Sequence, residues 1–184
     1  NTIFPTLKRA INFYIPFLEK DEQGILHLKE TYSPEYGSAK DCNYDIALLR
    51  WGCQTLLKAS QILSIKDNLI PKWQGIIEKL TDYPQDENGM MIGKDMPFSK
   101  SHRHYSHLLM FYPLYLLNIE QNENKELLEK SVEHWLSIPG NILGFSNTGA
   151  SSLYAAAGEG NKALEKLKGL FALALRPNTM YMES

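Results

Sequence analysis

Three of the chain's five histidines and one arginine fall within six positions, His102-Arg103-His104-Tyr105-Ser106-His107. Imidazoles and a guanidinium this close repel one another when protonated and are costly to bury unpaired. Three readings fit these residue types. His102, His104 and His107 can converge on a metal ion, though neighbouring loop histidines seldom do. They can support the backbone that follows. Or Arg103 and His104 can donate hydrogen bonds to a hydroxyl-rich ligand. No nearby Asp/Glu pattern matches a known metal motif, and neither a metal nor any other cofactor is expected. A second candidate is Glu35, in Tyr32-Ser33-Pro34-Glu35-Tyr36. A carboxyl held between two aromatic rings is poorly hydrated and keeps its proton toward neutral pH. A general acid in glycoside cleavage needs that property. The plainer alternative is an exposed turn carboxylate. Ten Tyr, seven Phe and three Trp supply rings for stacking on sugars, although most of them must serve a core.

The elements that must position these groups read mainly as helices. Leu7, Ile11, Tyr14 and Leu18 share one face of a helix predicted over Pro5 to Lys20, with a kink or early end at Pro16. Ile25 to Tyr32 reads as a short strand, and Ser33 to Cys42 as a turn-rich loop. Ile46, Leu49, Cys53, Leu56, Ser60 and Leu63 mark the clearest helix, with Asp41 or Asn43 as its cap. Another begins at Pro71 and carries Trp73, Ile76, Ile77 and Leu80. Thr81 to Ser101 is a long loop with room for one hairpin, of a length that tends to be functional. Leu108 to Leu117 reads as a buried helix interrupted at Pro113. Glu123 to Leu136 and Ser146 to Ala157 follow, and Asn161 is placed to cap a last helix running to Ala174. The sum is an all-α chain of some seven helices, arranged as an α/α hairpin array or toroid in one segment spanning residues 1–184.

Composition limits the function. The chain has 184 residues, of which 43% are hydrophobic and 22% charged. That is the balance of one ordinary globular domain. A net charge of −2 with no Lys/Arg stripe argues against nucleic acid. No apolar stretch reaches the roughly 18 residues of a membrane span. Cys42 and Cys53 make neither a disulfide framework nor a zinc site, and Cys53 reads as a small core residue. No repeat of the tetratricopeptide or armadillo type is visible.

The order of motifs resembles the catalytic domain of glycoside hydrolase family 95, the α-L-fucosidase and α-L-galactosidase group. Ser33-Pro34-Glu35 comes first, then a helix containing Asp45. His102-Arg103-His104-x-Ser106-His107-Leu108 follows, with Tyr112-Pro113 close behind. Gly144-Phe145-Ser146 then enters a small-residue helix that closes on Gly158-Glu159-Gly160-Asn161. The resemblance implies an (α/α)6 barrel and inverting hydrolysis of a terminal sugar on an oligosaccharide or glycan. It implies Glu35 as general acid, and Arg103 and His104 as sugar contacts. His102 and Tyr32 are added here as neighbouring substrate-binding candidates. It also implies a secreted or periplasmic setting.

Inversion further requires a group that activates water across the sugar, with the two carboxyls roughly 6.5–9.5 Å apart. In the family that group is an Asp in an Asp-Gly-Asn-Phe-Gly segment, assisted by an Asn-x-Asn pair upstream of Ser-Pro-Glu. Neither occurs at the matching place here, and Phe145 and Tyr36 stand where the family has Trp and Asn. Two readings follow: one part of a larger barrel with its base elsewhere, or a divergent member with another base. Glu183 is a minor candidate for that base. The rival class is a non-catalytic helical module that binds glycan or protein through the same loops.

Overall fold

The apolar positions that step by three and four along the sequence do close into helices. The structure, a computed structural model, describes residues 2–181. Among them are six α-helices: α1 (Ile3–Tyr14), α2 (Asn43–Ile62), α3 (Ile70–Lys79), α4 (Asn122–Ser137), α5 (Gly144–Ala156) and α6 (Gly160–Leu173). Three small antiparallel hairpins accompany them. They pair β1 (Leu18–Lys20) with β2 (Leu26–Leu28), β3 (Thr31–Ser33) with β4 (Gly37–Ala39), and β5 (Gln85–Asp86) with β6 (Gly89–Met90). No two of the described hairpins join into a larger sheet, so the fold is all-α and built from helical hairpins.

Helix α2 divides the molecule. Ile46, Leu49, Cys53 and Leu56 on one side meet Phe4 and Ile11 of α1 and Trp73 and Ile76 of α3. Ala47 on another side joins the second core, formed by Leu108, Met110 and Phe111 with Leu128, Val132 and Trp135 of α4 and Ala150 and Leu153 of α5. The α1–α2 contact is close because Gly52 leaves room for the Ile11 side chain, where any Cβ would collide with it. Gly149 does the same in α5, where the Tyr105 ring fills the space a Cβ would occupy. Both cysteines are buried free thiols, and burial pushes Cys53 up to about 12, as suits a core residue.

Several local expectations change. The first helix stops at Tyr14. Pro16 has no N–H to continue it, so a 3-10 turn over Ile15–Phe17 leads into β1. The single strand expected over Ile25 to Tyr32 splits into β2 and β3, because its halves pair with different partners. Ser33 to Cys42 is accordingly less of a loop than its Pro and Gly suggest, since it contains β4. Leu108 to Leu117 is no helix. Tyr115 takes a φ of 48°, and the Leu116 and Leu117 N–H groups both donate to the Met110 carbonyl, at 2.8 and 3.2 Å. Pro113 blocks the helical ladder there. The segment is apolar because the second core surrounds it. Asn161 lies inside α6 rather than capping it.

Neither Asp41 nor Asn43 caps α2. Asp41 is drawn back to the hairpin, where its carboxylate accepts from Leu28 N–H at 2.7 Å and lies 2.7 Å from His27 Nδ1. Asn43 is buried in the first turn of α2, and its Nδ2 donates to the Pro84 carbonyl at 2.8 Å and the Met91 carbonyl at 2.7 Å. Its own N–H donates to Ile92 O at 2.9 Å. One side chain thus clips the long 81–101 segment onto α2. Replacing it with Leu removes the donor to the Met91 carbonyl and leaves the Pro84 carbonyl only the Met91 N–H at 3.0 Å. Asn43→Leu should lower stability by about 1–3 kcal/mol, read as a lower urea midpoint with an unchanged m-value.

Candidate active site

Glu35 sits at the corner of a tight turn. The Tyr36 N–H donates to Ser33 O at 3.0 Å and closes Ser33-Pro34-Glu35-Tyr36 between β3 and β4. Pro34 suits the second position of such a turn. Glu35 takes the third with a φ of 56°, where glycine is the relaxed residue. A bulky residue held there costs about 1–3 kcal/mol, and such outliers gather at functional sites. The strained corner puts the carboxylate at the hairpin tip, with its side chain 55% exposed.

The histidine segment approaches that tip from the other side, and helices hold its backbone. Trp135 of α4 donates its indole N–H to the His102 carbonyl at 2.8 Å. Ser146 of α5 donates its hydroxyl to the Arg103 carbonyl at 3.0 Å and accepts the Leu143 N–H at 3.2 Å. With these carbonyls pinned, the side chains project onto the turn. His102 Nε2 donates to Pro34 O at 3.1 Å. Arg103 Nη2 donates to Glu35 Oε2 at 2.8 Å, and Arg103 Nε donates to His104 Nε2 at 3.2 Å. His104 Nε2 lies 3.8 Å from the same Glu35 oxygen. The hydroxyls of Ser33 and Ser106 meet at 3.1 Å and stitch hairpin to segment. Burial lowers the pKa of His102, opposed in part by its bond to Pro34.

Beside this cluster lies a cavity of about 300 Å³, walled by Pro34, Tyr44, His104, Tyr105, Leu109 and Phe145. Tyr105 and Phe145 stack with centroids 5.5 Å apart, and His104 meets Phe145 edge-on at 5.4 Å. No carboxylate lines this cavity among the described residues. The arrangement offers one carboxyl, one guanidinium and two imidazoles at the edge of an apolar, aromatic recess.

Four of the expected site residues therefore come together: Glu35, His102, Arg103 and His104. Tyr32 does not join them. Side chains alternate along β3, and Thr31 and Ser33 face inward to Asp45 and Ser106. Tyr32 consequently lies on the outer face, 61% exposed. The aromatic sandwich around Glu35 is not formed either. Tyr36 turns into the core against Phe98, and its hydroxyl accepts the Ser99 and Lys100 N–H groups at 2.7 and 3.1 Å. Glu35 has an ionic neighbour instead of two rings. His107 leaves the cluster as well, 1% exposed and stacked on Phe98 at 4.6 Å. Glu183 lies outside the described residues. Trp135 was legible only as a core residue, since nothing in the sequence announces that its N–H binds the His102 carbonyl. Ser146 carried a signal through Gly144-Phe145-Ser146, but its partner did not.

His107 generates a pH prediction. Burial pushes its pKa down to about 3, so it is neutral when folded, whereas the unfolded chain protonates it near 6.5. The contribution is fully present above about pH 6.5 and is lost as pH falls toward 3, at up to about 1.4 kcal/mol per pH unit. The stability difference between wild type and His107→Leu, measured by urea unfolding, should shift in that direction between pH 6.5 and 4. A difference independent of pH would contradict it.

The catalytic-domain model of glycosyl hydrolase family 95 matches residues 1–183. No curated protein matches the chain. No described helix is long and apolar enough to cross a membrane. With the match running over nearly every residue, including the Glu35 turn and the 102–108 segment, the chain belongs to the catalytic domain of glycosyl hydrolase family 95, a family of glycoside hydrolases.

Proposed function

We propose that this domain hydrolyses a terminal glycosidic bond with inversion, with Glu35 as general acid. The observation that carries the reading is the meeting of Glu35 with Arg103 and His104 across 68 and 69 positions of sequence. In this scheme the Glu35 carboxyl delivers a proton to the leaving oxygen as the glycosidic bond breaks. Arg103, His104 and His102 bind sugar hydroxyls, the first two by exchanging part of their present contacts for the ligand. The aromatic wall of Tyr105 and Phe145 packs against the apolar face of the ring. Tyr32, exposed on the outer face of the same hairpin, offers a stacking surface for a more distant sugar.

Inversion needs a second group to activate water. The cavity beside Glu35 has no carboxylate among the residues named, so the base is assigned to a segment beyond this site. A larger barrel gives such a segment a place. Ile3, Phe13 and Phe17 are exposed along α1 and the turn after it, as are Leu164, Leu167 and Phe171 on α6. Stripes of this kind are what neighbouring helices bury in an (α/α)6 barrel. The substrate class proposed is an α-L-fucoside or related terminal sugar on a glycan outside the cytoplasm, and it rests on the family alone.

That no second carboxylate lines the cavity among the described residues also suits a rival reading, a glycan-binding module without turnover. Glu35→Gln separates the two. The acid role predicts a loss of turnover on the order of 10² to 10⁴ with an unactivated leaving group. It predicts a much smaller loss with a dinitrophenyl glycoside, whose leaving oxygen needs no proton. Equal losses on both substrates, or none, would remove Glu35 as the acid, and tight glycan binding with no turnover in either protein would select the module.

A further inference from the structure

The charges around Glu35 converge on a single cation. Arg103 has only donors to offer, so His104 Nε2 must present its lone pair to the guanidinium that also binds Glu35 Oε2. His102 joins the same group. One nitrogen of each imidazole and one Glu35 oxygen all lie within 4.8 Å of one another. Because His102 Nε2 donates to the Pro34 carbonyl, the lone pair of its neutral ring falls on Nδ1. Two neutral imidazoles and a carboxylate, with a removable guanidinium bound to His104 and Glu35, form a donor set that transition metals accept.

We propose that Glu35, His102 and His104 form a binding site for a divalent transition metal, zinc or copper, in which the ion takes the place of the Arg103 guanidinium. Zinc sits about 2.0–2.2 Å from such donors, which puts them about 3.4 Å apart around a tetrahedral ion. The present spread has to contract, and the exposed Glu35 side chain at the hairpin tip is the member free to swing inward. Arg103, with its side chain 36% exposed, has solvent to turn into. His107 is not a ligand, because it is buried against Phe98. The fourth position stays open to water or a substrate oxygen. The ion acts as a competitor at this site, because it occupies the carboxyl that the proposed activity needs for proton delivery. Binding itself does not depend on that activity. Only the inhibition does.

The test is a calorimetric titration of chelator-stripped protein with zinc chloride. The wild type should bind one ion per chain. Glu35→Gln and His104→Gln should each weaken binding by at least about tenfold, as loss of metal-site groups does. Arg103→Met should tighten binding by about two- to fivefold, since an exposed ion pair no longer competes. Circular dichroism of each variant checks that it is folded. His27→Gln is the control for the other His–carboxylate cluster, where His27 contacts Asp41 and Asp21. Binding that survives Glu35→Gln and His104→Gln but falls in His27→Gln would overturn the assignment. So would weaker binding in Arg103→Met, or no binding to the wild type at millimolar zinc. Zinc binding without any glycosidase turnover upholds this site and removes the proposed activity, whereas turnover without zinc binding does the reverse.

Discussion

Two backbone carbonyls, those of His102 and Arg103, set the geometry on which the candidate site depends. A buried indole N–H from α4 holds the first, and a buried hydroxyl from α5 holds the second. A loop with no regular structure over 102–105 would otherwise carry unpaired polar groups into a core. With those carbonyls satisfied from behind, the side chains of the same two residues reach the β3–β4 turn at Pro34 and Glu35. Helix packing is thereby converted into the placement of a guanidinium and an imidazole, and the guanidinium in turn holds His104. Gly149 contributes from the same helix by admitting the Tyr105 ring, which seats the loop against α5.

The ion pair that results is better understood as placement than as stabilisation. Arg103 and Glu35 are both substantially exposed, and pairs of that kind are worth about 0–1 kcal/mol. Holding Glu35 at a positive φ costs about as much or more. Stability comes from elsewhere, chiefly from the two apolar cores on either side of α2 and from Asn43 fastening the long connecting segment. The site is then a local expense that the cores can carry. Such a division is common where polar groups must stay available to a ligand.

Much of this was legible in the residues. Small residues marked α5, and helical spacing located α2, α3 and α4 to within a few positions, because the apolar positions each buries recur at intervals of three and four. Cys53 read correctly as core for the same reason. The crowding of His102, Arg103 and His104 marked a candidate site, since such side chains are costly without a common task, and the structure brings them to Glu35. Where reading failed, a competing contact had won. Asp41 and Asn43 looked like caps, but a hairpin amide and two loop carbonyls outbid the helix end for them. Leu108 to Leu117 looked like a buried helix because burial and helicity leave the same apolar signature. Tyr32 and Tyr36 looked like walls for Glu35, yet strand alternation sends one ring outward and core packing takes the other inward.

By itself the sequence determined the all-α class and the identity of the groups that could do chemistry, because these rest on residue type and local spacing, while the order of its motifs along the chain carried the resemblance to the family. It could not determine which of those groups meet. The third partner of His102 and His104 is Glu35 from a distant turn rather than the neighbouring His107, and no spacing rule connects positions 67 and 69 apart. That choice belongs to tertiary structure. It follows from which carbonyls the helices bind, which ring stacks on Phe98, and which side of a short strand faces the core.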